Sequence, residues 1–204
     1  MDAFSELATT LSLSMGAAWA SGINLYAAVL MLGMMGSLGY MELPTGLQVL
    51  QDPLVIGAAG LMYMVEFFAD KIPGVDSGWD AIHSFVRIPA GAMLAAAALG
   101  DVDPAMAITA GILGGTLTAA THATKAGSRV LINTSPEPVS NWTASVSEDV
   151  AVFGGLWAAL HYPVAFSLFL ILFIILMIWL LPRLWSAIKS VCRRIQQFFQ
   201  GASQ

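Results

Sequence analysis

The stretch VAFSLFLILFIILMIWLL, residues Val164 to Leu181, decides the class of fold. It runs eighteen residues without a charge and is bounded by Pro182-Arg183. A helix needs roughly 20 apolar residues to cross a hydrocarbon core of about 30 Å. The whole chain agrees with that reading. Of its 204 residues 57% are hydrophobic and 10% are charged, with mean hydropathy +0.76, whereas soluble domains carry about 25% charged residues. A small soluble globule could not bury so much apolar surface, so the bilayer must be the solvent. The composition excludes a soluble enzyme, and the 8 Lys+Arg against 13 Asp+Glu exclude a nucleic-acid binder. The single cysteine, Cys192, excludes a disulfide scaffold and reads as an ordinary juxtamembrane residue. Ala18-Trp19-Ala20 resembles a signal-cleavage tripeptide, but Asp2 and Glu6 precede it and no Lys or Arg does, so the segment is expected to be retained.

Working back from Val164 to Leu181, further spans read as Trp142 to Leu160, Pro104 to Lys125, Asp80 to Leu99, Pro53 to Asp70, Gly22 to Gly39 and Phe4 to Ala20. The last of these is the weakest, being rich in Ser and Thr. The expected fold is all-α: a polytopic transmembrane helical bundle of about seven spans. Three helical hairpins (residues 4–39, 53–99 and 104–160) and a closing helix (163–181) make up a transmembrane domain over residues 1–183. With seven spans, Lys71, Arg87, Lys125, Arg129, Arg183, Lys189, Arg193 and Arg194 all fall on the side of the C-terminal tail. The opposite loops hold Glu42, Asp52, Asp101 and Asp103 and no Lys or Arg. The positive-inside rule then makes the tail cytoplasmic and the N-terminus periplasmic. Residues 184–204 alternate apolar and basic residues at helical spacing and are expected to form an amphipathic helix on the anionic inner leaflet.

Three turns carry a similar signature before a span: Ser21-Gly22-Ile23-Asn24, Ser77-Gly78-Trp79-Asp80 and Ser140-Asn141-Trp142-Thr143. They suggest an internal repeat with its apices on the cytoplasmic side, although such runs also serve as ordinary helix caps. Polar residues gather near these apices. Asp80, His83 and Arg87 share one helical face, as do Glu66 with Asp70 and His122 with Lys125. Glu148 and Asp149 lie about two turns into the Trp142 span. Ionised groups at membrane depth are costly and must pair or line a wet cavity. A structural salt-bridge network would meet that need, and so would a ligand or ion site. His83 and His122 lack the tight spacing of a metal site, and none is expected. His161 reads as interfacial, and the glycine-rich faces as close helix contacts.

Ala69-Asp70-Lys71-Ile72-Pro73-Gly74-Val75-Asp76-Ser77, followed by Trp79-Asp80-Ala81-Ile82-His83 and Arg87, resembles the signature of a bacterial integral-membrane family known only as a domain of unknown function. Asn133-Thr134-Ser135-Pro136-Glu137-Pro138, with Ser140-Asn141-Trp142 and Glu148-Asp149, is similar to its second signature. The resemblance extends from about Leu11 to Leu184 and departs at Ile88, where the family carries proline before Pro89. It implies a multi-spanning protein of the bacterial inner membrane and no particular activity.

The residues themselves suggest a small transporter or carrier rather than an enzyme, because no nucleophile–base pair or metal-hydrolase spacing is present. Lys71, Asp80, His83, Arg87, Lys125, Arg129, Ser135, Glu137 and Asn141 would contact an anionic, phosphate-bearing solute or lipid headgroup. Glu66, Asp70, Asp80, Glu148 and Asp149 would couple its movement to a proton or cation. No cofactor is implied; membrane lipids and a second copy in a homodimer are the expected partners. The alternatives are a cation or metal channel and a non-transporting assembly subunit.

Overall fold

A computed structural model describes residues 3–134 and 138–201 of the chain. Its elements are α1 (Ala3–Ser37), a short 3-10 helix (Thr45–Gln51), α2 (Pro53–Ala69), α3 (Val75–Ala97), α4 (Pro104–Ile132), α5 (Pro138–His161) and α6 (Pro163–Gly201). The fold is thus an all-helical bundle, with no strand among the described residues. The loops with Glu42, Asp52, Asp101 and Asp103 define an acidic end, and the α2–α3 and α4–α5 turns a basic end. Two helices leave the acidic end by the same local device. Asp52 and Asp103 accept the amide hydrogens of Leu54 and Ala105, both at 2.8 Å, and Pro53 and Pro104 occupy the first turn, where a missing N–H costs nothing.

By length and apolarity α1, α4 and residues Pro163–Arg193 of α6 can each cross a membrane, and the 3-10 helix with α2 does so only as a pair bent by 70°. Helices α3 and α5 are more polar because they carry Asp80 and Arg87, and Glu148 and Asp149. Outward faces are apolar: Phe85 is 86% exposed and Leu54 83%, as expected where hydrocarbon replaces water. Between α3 and α4 the backbones approach closely. A Cβ on Gly114 would lie 2.2 Å from that of Ala95, and one on Gly91 would lie 2.1 Å from the Thr118 hydroxyl. On the other flank Trp19 meets Phe166, Phe169 and Phe173 edge-on.

The first two segments differ from the sequence expectation in where their apex lies. They form one continuous element broken at Asn24, whose φ of −148° and ψ of 100° are extended rather than helical. Thr9 and Thr10 line the same small cavity as Met35 and Tyr40; a straight helix would hold Thr9 and Met35 about 39 Å apart. The element is therefore a hairpin with both arms rising to the acidic end. Ser12 and Ser14 donate to the carbonyls of Ala159 and Ala95 near that end, and Thr118 donates to the Ala18 carbonyl. Ser21, Gly22, Ile23 and Asn24 are all buried, and Arg87 and Lys125 reach the Ile23 carbonyl from α3 and α4. The Ser21–Asn24 apex accordingly ends inside the bundle and not at its basic surface. Its hydroxyl-rich first arm lacks the apolarity of a lipid-facing span because most of its surface is covered by protein.

The second difference concerns Pro182, at which the sequence suggested a stop. α6 continues through it to Gly201. Pro182 forfeits one backbone hydrogen bond, yet Leu184 and Ile188 beyond it pack on Gly127 at the end of α4, holding the helical path.

A buried ionic cluster around the tip of a broken helix

Where α1 breaks, one arm presents its last carbonyls and the other its first amides to the protein interior. Asn24 Oδ1 accepts the Ala27 amide at 2.9 Å and caps the second arm, while Asn24 Nδ2 donates to Asp149 at 3.3 Å. The Ile23 carbonyl at the end of the first arm accepts from Arg87 Nη1 and from Lys125 Nζ, each at 3.1 Å. A helix C-terminus carries partial negative charge, so two cations there offset what hydrocarbon cannot solvate.

These cations belong to a larger cluster. Arg87 pairs through Nη2 with Glu66 and lies 3.1 Å from Asp80 Oδ1. Lys125 Nζ lies 2.9 Å from Asp70, 3.3 Å from Glu66, 3.6 Å from Asp80 and 3.5 Å from Glu148. Arg129 grips Glu148 with two nitrogens at 3.1 and 2.7 Å and also donates to the Asp70 and Asn141 carbonyls. Glu66, Asp80, Arg87 and Arg129 are fully buried, and Asp70 and Lys125 nearly so. Several carboxylate oxygens nevertheless receive no hydrogen bond from the described residues: Glu66 Oε2, Asp70 Oδ1, both oxygens of Asp80 and Asp149 Oδ2. The Asp80 contact with Arg87 is thus an ionic approach without hydrogen-bond alignment. Counting Asp76 and Lys71, the region holds six carboxylates (Glu66, Asp70, Asp76, Asp80, Glu148, Asp149) and four basic side chains (Lys71, Arg87, Lys125, Arg129). That surplus of negative charge is the chemical character of the site.

The two histidines take separate roles. His122 Nδ1 lies 3.2 Å from Arg87 Nη1, a group that can only donate. The ring therefore accepts at Nδ1 and carries its proton on Nε2, which faces the Asp80 carbonyl at 3.1 Å and Ser84 Oγ at 2.7 Å. His83 stacks on Trp79 with ring centroids 4.0 Å apart and donates from Nδ1 to the Trp79 carbonyl, so it flanks the ion pairs without joining them. Among the described residues no three His, Cys, Asp or Glu side chains converge as metal ligands.

Toward the basic end, Asn141 and Asn133 bind the two turns together. Arg129 donates to Asn141, Asn141 to Asn133, and Asn133 to both oxygens of the fully buried Asp76. Asp76 in turn accepts the Gly74 amide at 2.8 Å, closing a turn that Gly74 enters with φ of +86°, a conformation suited to glycine. Lys71 stands apart. It forms no ion pair among the described residues. Its Nζ donates to the Phe67 carbonyl and Ser145 and sits 3.0 Å from the centre of the Phe67 ring, with Trp142 at 5.5 Å. Burial in that aromatic corner pushes its pKa below the ordinary lysine value. Ser135 and Glu137 lie outside the described residues.

Thus Glu66, Asp70, Asp80, Arg87, Lys125, Arg129 and Glu148 converge, Asp149 and Asn141 adjoin them, and His83 and Lys71 sit at the edges. Asn24, His122, Asp76 and Asn133 also take part, although sequence reasoning placed them in neither the ligand set nor the ion-coupling set. A polar Ser-Gly-Ile-Asn run flanked by apolar residues was the available signal for the first of these.

The sequence model of a family described as a domain of unknown function, DUF4126, matches residues 11–183. The chain belongs to the DUF4126 family. No curated protein and no solved structure matches it. The DUF4126 region takes in the broken tip and every member of the cluster, and it stops where α6 extends beyond Pro182.

Proposed function

We propose that this DUF4126 protein is a small transporter of the bacterial inner membrane, carrying an anionic, phosphate-bearing solute or lipid headgroup coupled to a proton or cation. One observation carries the reading: the backbone of α1 breaks inside a closed ionic cluster that holds more carboxylates than cations. Discontinuous helices with polar ends at membrane depth are the usual construction of transporter sites, and buried ionisable groups there are expensive without a function. In the closed state Glu66, Asp70, Asp80 and Glu148 act as internal counter-anions to Arg87, Lys125 and Arg129. A proton taken up by one of these carboxylates neutralises it and frees a cation for the incoming anion. A proton and a singly charged anion then move together and add no net charge to the cluster. The distribution of Lys and Arg favours a cytoplasmic tail and a periplasmic N-terminus, and a homodimer fits the thin bundle.

The test is uptake into proteoliposomes with a trapped pH indicator, offering inorganic phosphate outside and phosphatidic acid within the bilayer in separate arms. Arg87→Gln and Asp80→Asn should each abolish anion-dependent acidification, Asp80→Asn while eluting like the wild type in detergent and Arg87→Gln while folded but less stable. If both variants fold and acidify normally, the coupling site is wrongly assigned. A second reading, that of a non-transporting assembly subunit, draws support from the internal pairing of Arg87, Lys125 and Arg129. It expects no acidification even from the wild type.

A further inference from the structure

An apolar groove of about 470 Å³ opens to the bilayer between the second arm of α1, α2 and α3. Val29, Leu54, Met62, Ala90 and Met93 line it, and Tyr26 closes its deep end. On all three helices the ionic cluster begins about one turn beyond that end. Glu66 follows Met62 by four residues, Arg87 precedes Ala90 by three, and Ile23 precedes Tyr26 by three. Tyr26 itself packs edge-on against His83. Although a short turn joins α2 and α3, they touch little along their length, and α2 rests chiefly on α1. What ties the basic end of α2 to α3 and α4 is ionic: Glu66 to Arg87 and Lys125, and Asp70 to Lys125 and Arg129. The cavities at the acidic end, one beside Thr9 and Tyr40 and one beside Glu6 and Thr109, contain no residue of the cluster.

We propose that the ligand of this site is an anionic lipid that enters sideways between α2 and α3, its chain in the apolar groove and its phosphate at Arg87 and Lys125. The inference rests on the anion-carrier reading of the cluster and commits it to a lipid rather than a free anion. The chain points to the acidic end and the headgroup to the basic end, the orientation of a lipid in the leaflet on the basic side. Charge complementarity selects the headgroup. A phosphomonoester replaces Glu66 on the Arg87 guanidinium, and loss of the Glu66 and Asp70 pairs unlatches α2. Packing of α2 against α1 alone then lets the seam with α3 widen. The shape of the groove selects a hydrocarbon chain, since nothing polar but Tyr26 lines it.

The experiment uses full-length protein in phosphatidylcholine nanodiscs, with phosphatidic acid bearing a diazirine at the end of its chain as the probe. Wild-type protein should be labelled on Leu54, Val55 and Met93, toward the acidic end of the groove, and unlabelled phosphatidic acid should compete while excess phosphatidylcholine does not. Ala90→Trp, which fills the groove without touching the cluster, and Arg87→Gln should each weaken labelling by roughly 10- to 100-fold. Labelling spread over α6, or competition by phosphatidylcholine, overturns the proposal and leaves the lipid as solvent. Displacement by millimolar inorganic phosphate, with Ala90→Trp unaffected in phosphate uptake, overturns the lateral route while the carrier reading survives. Should Ala90→Trp fail to fold, the wild-type labelling pattern alone decides.

Discussion

Arg87 illustrates what a single charge must satisfy when water is absent. Its guanidinium meets Glu66, Asp80, the Ile23 carbonyl and His122 Nδ1, which lie on four different segments. Removing the charge leaves the buried Glu66 and Asp80 to share Lys125, so Arg87→Gln should destabilise the protein by about 3–5 kcal/mol. Thermal unfolding in a mild detergent measures this. Glu66→Gln/Arg87→Gln should recover much of the loss, because replacing both charges removes the stranded one. Lysine cannot substitute, since a point ammonium lacks the planar fork that reaches several acceptors at once. Asp80→Asn should be tolerated far better than Arg87→Gln, since neither Asp80 oxygen accepts a hydrogen bond from the described residues. A large loss of stability in Asp80→Asn would show that its ionic contact with Arg87 outweighs the surplus negative charge.

Among the elements, α1 depends on a cap in its middle. Asn24→Ala should cost about 1 kcal/mol for the lost Ala27 cap, with a further loss from Asp149, seen as a lower unfolding temperature. Asn24→Asp would restore the cap but set a carboxylate against Asp149, so it should not restore stability. The α3–α4 pair depends on missing side chains instead. Gly114→Ala drives a methyl to 2.2 Å from Ala95 Cβ and should cost about 1–3 kcal/mol through separation of the helices. A Cβ added to Gly57 on α2 would meet nothing within 4 Å; there Gly→Ala should be neutral or stabilise by up to about 1 kcal/mol. Equal losses at both positions would contradict this assignment of tight and loose faces.

For the whole molecule, the depth of the α1 tip sets a prediction about access. In intact cells, a membrane-impermeant maleimide should leave Cys192 unmodified from outside, and opening the cells should expose it, since its side chain is exposed beyond the bundle. In a Cys192→Ser background, a cysteine placed at Asp103 should react from outside without opening the cells. A cysteine at Ser21 should resist from both sides, because Ser21 is buried within the bundle. Reaction of the Ser21 site after opening the cells, at the rate of Cys192, would place that apex at the surface and remove the broken-helix argument. The same buried tip explains the proportions of the molecule. Polar groups of α1 are satisfied by α3, α4 and α5, so this element needs less apolar covering than α6, which faces lipid along most of its length.

The sequence by itself determined the solvent, the all-helical class and the family, because each depends on local properties: an uncharged run of membrane length, the spacing of polar residues on helical faces, and two long motifs. It also determined which ionisable residues would be too costly to leave unpaired, and so named Glu66, Asp70, Asp80, Arg87, Lys125 and Arg129. What it could not determine was depth. A Ser-Gly-Ile-Asn turn looks the same at a surface and at mid-bundle; only the Arg87 and Lys125 hydrogen bonds to the Ile23 carbonyl, from residues 64 and 102 positions away, distinguish them. Pro182 likewise reads as a stop until Leu184 and Ile188 find Gly127. Pairing partners, the neutral tautomer of His122 and the groove beside α2 all arise from contacts between segments distant in the chain. Those contacts are decided by the energy of burying charge together, which no single stretch of sequence contains.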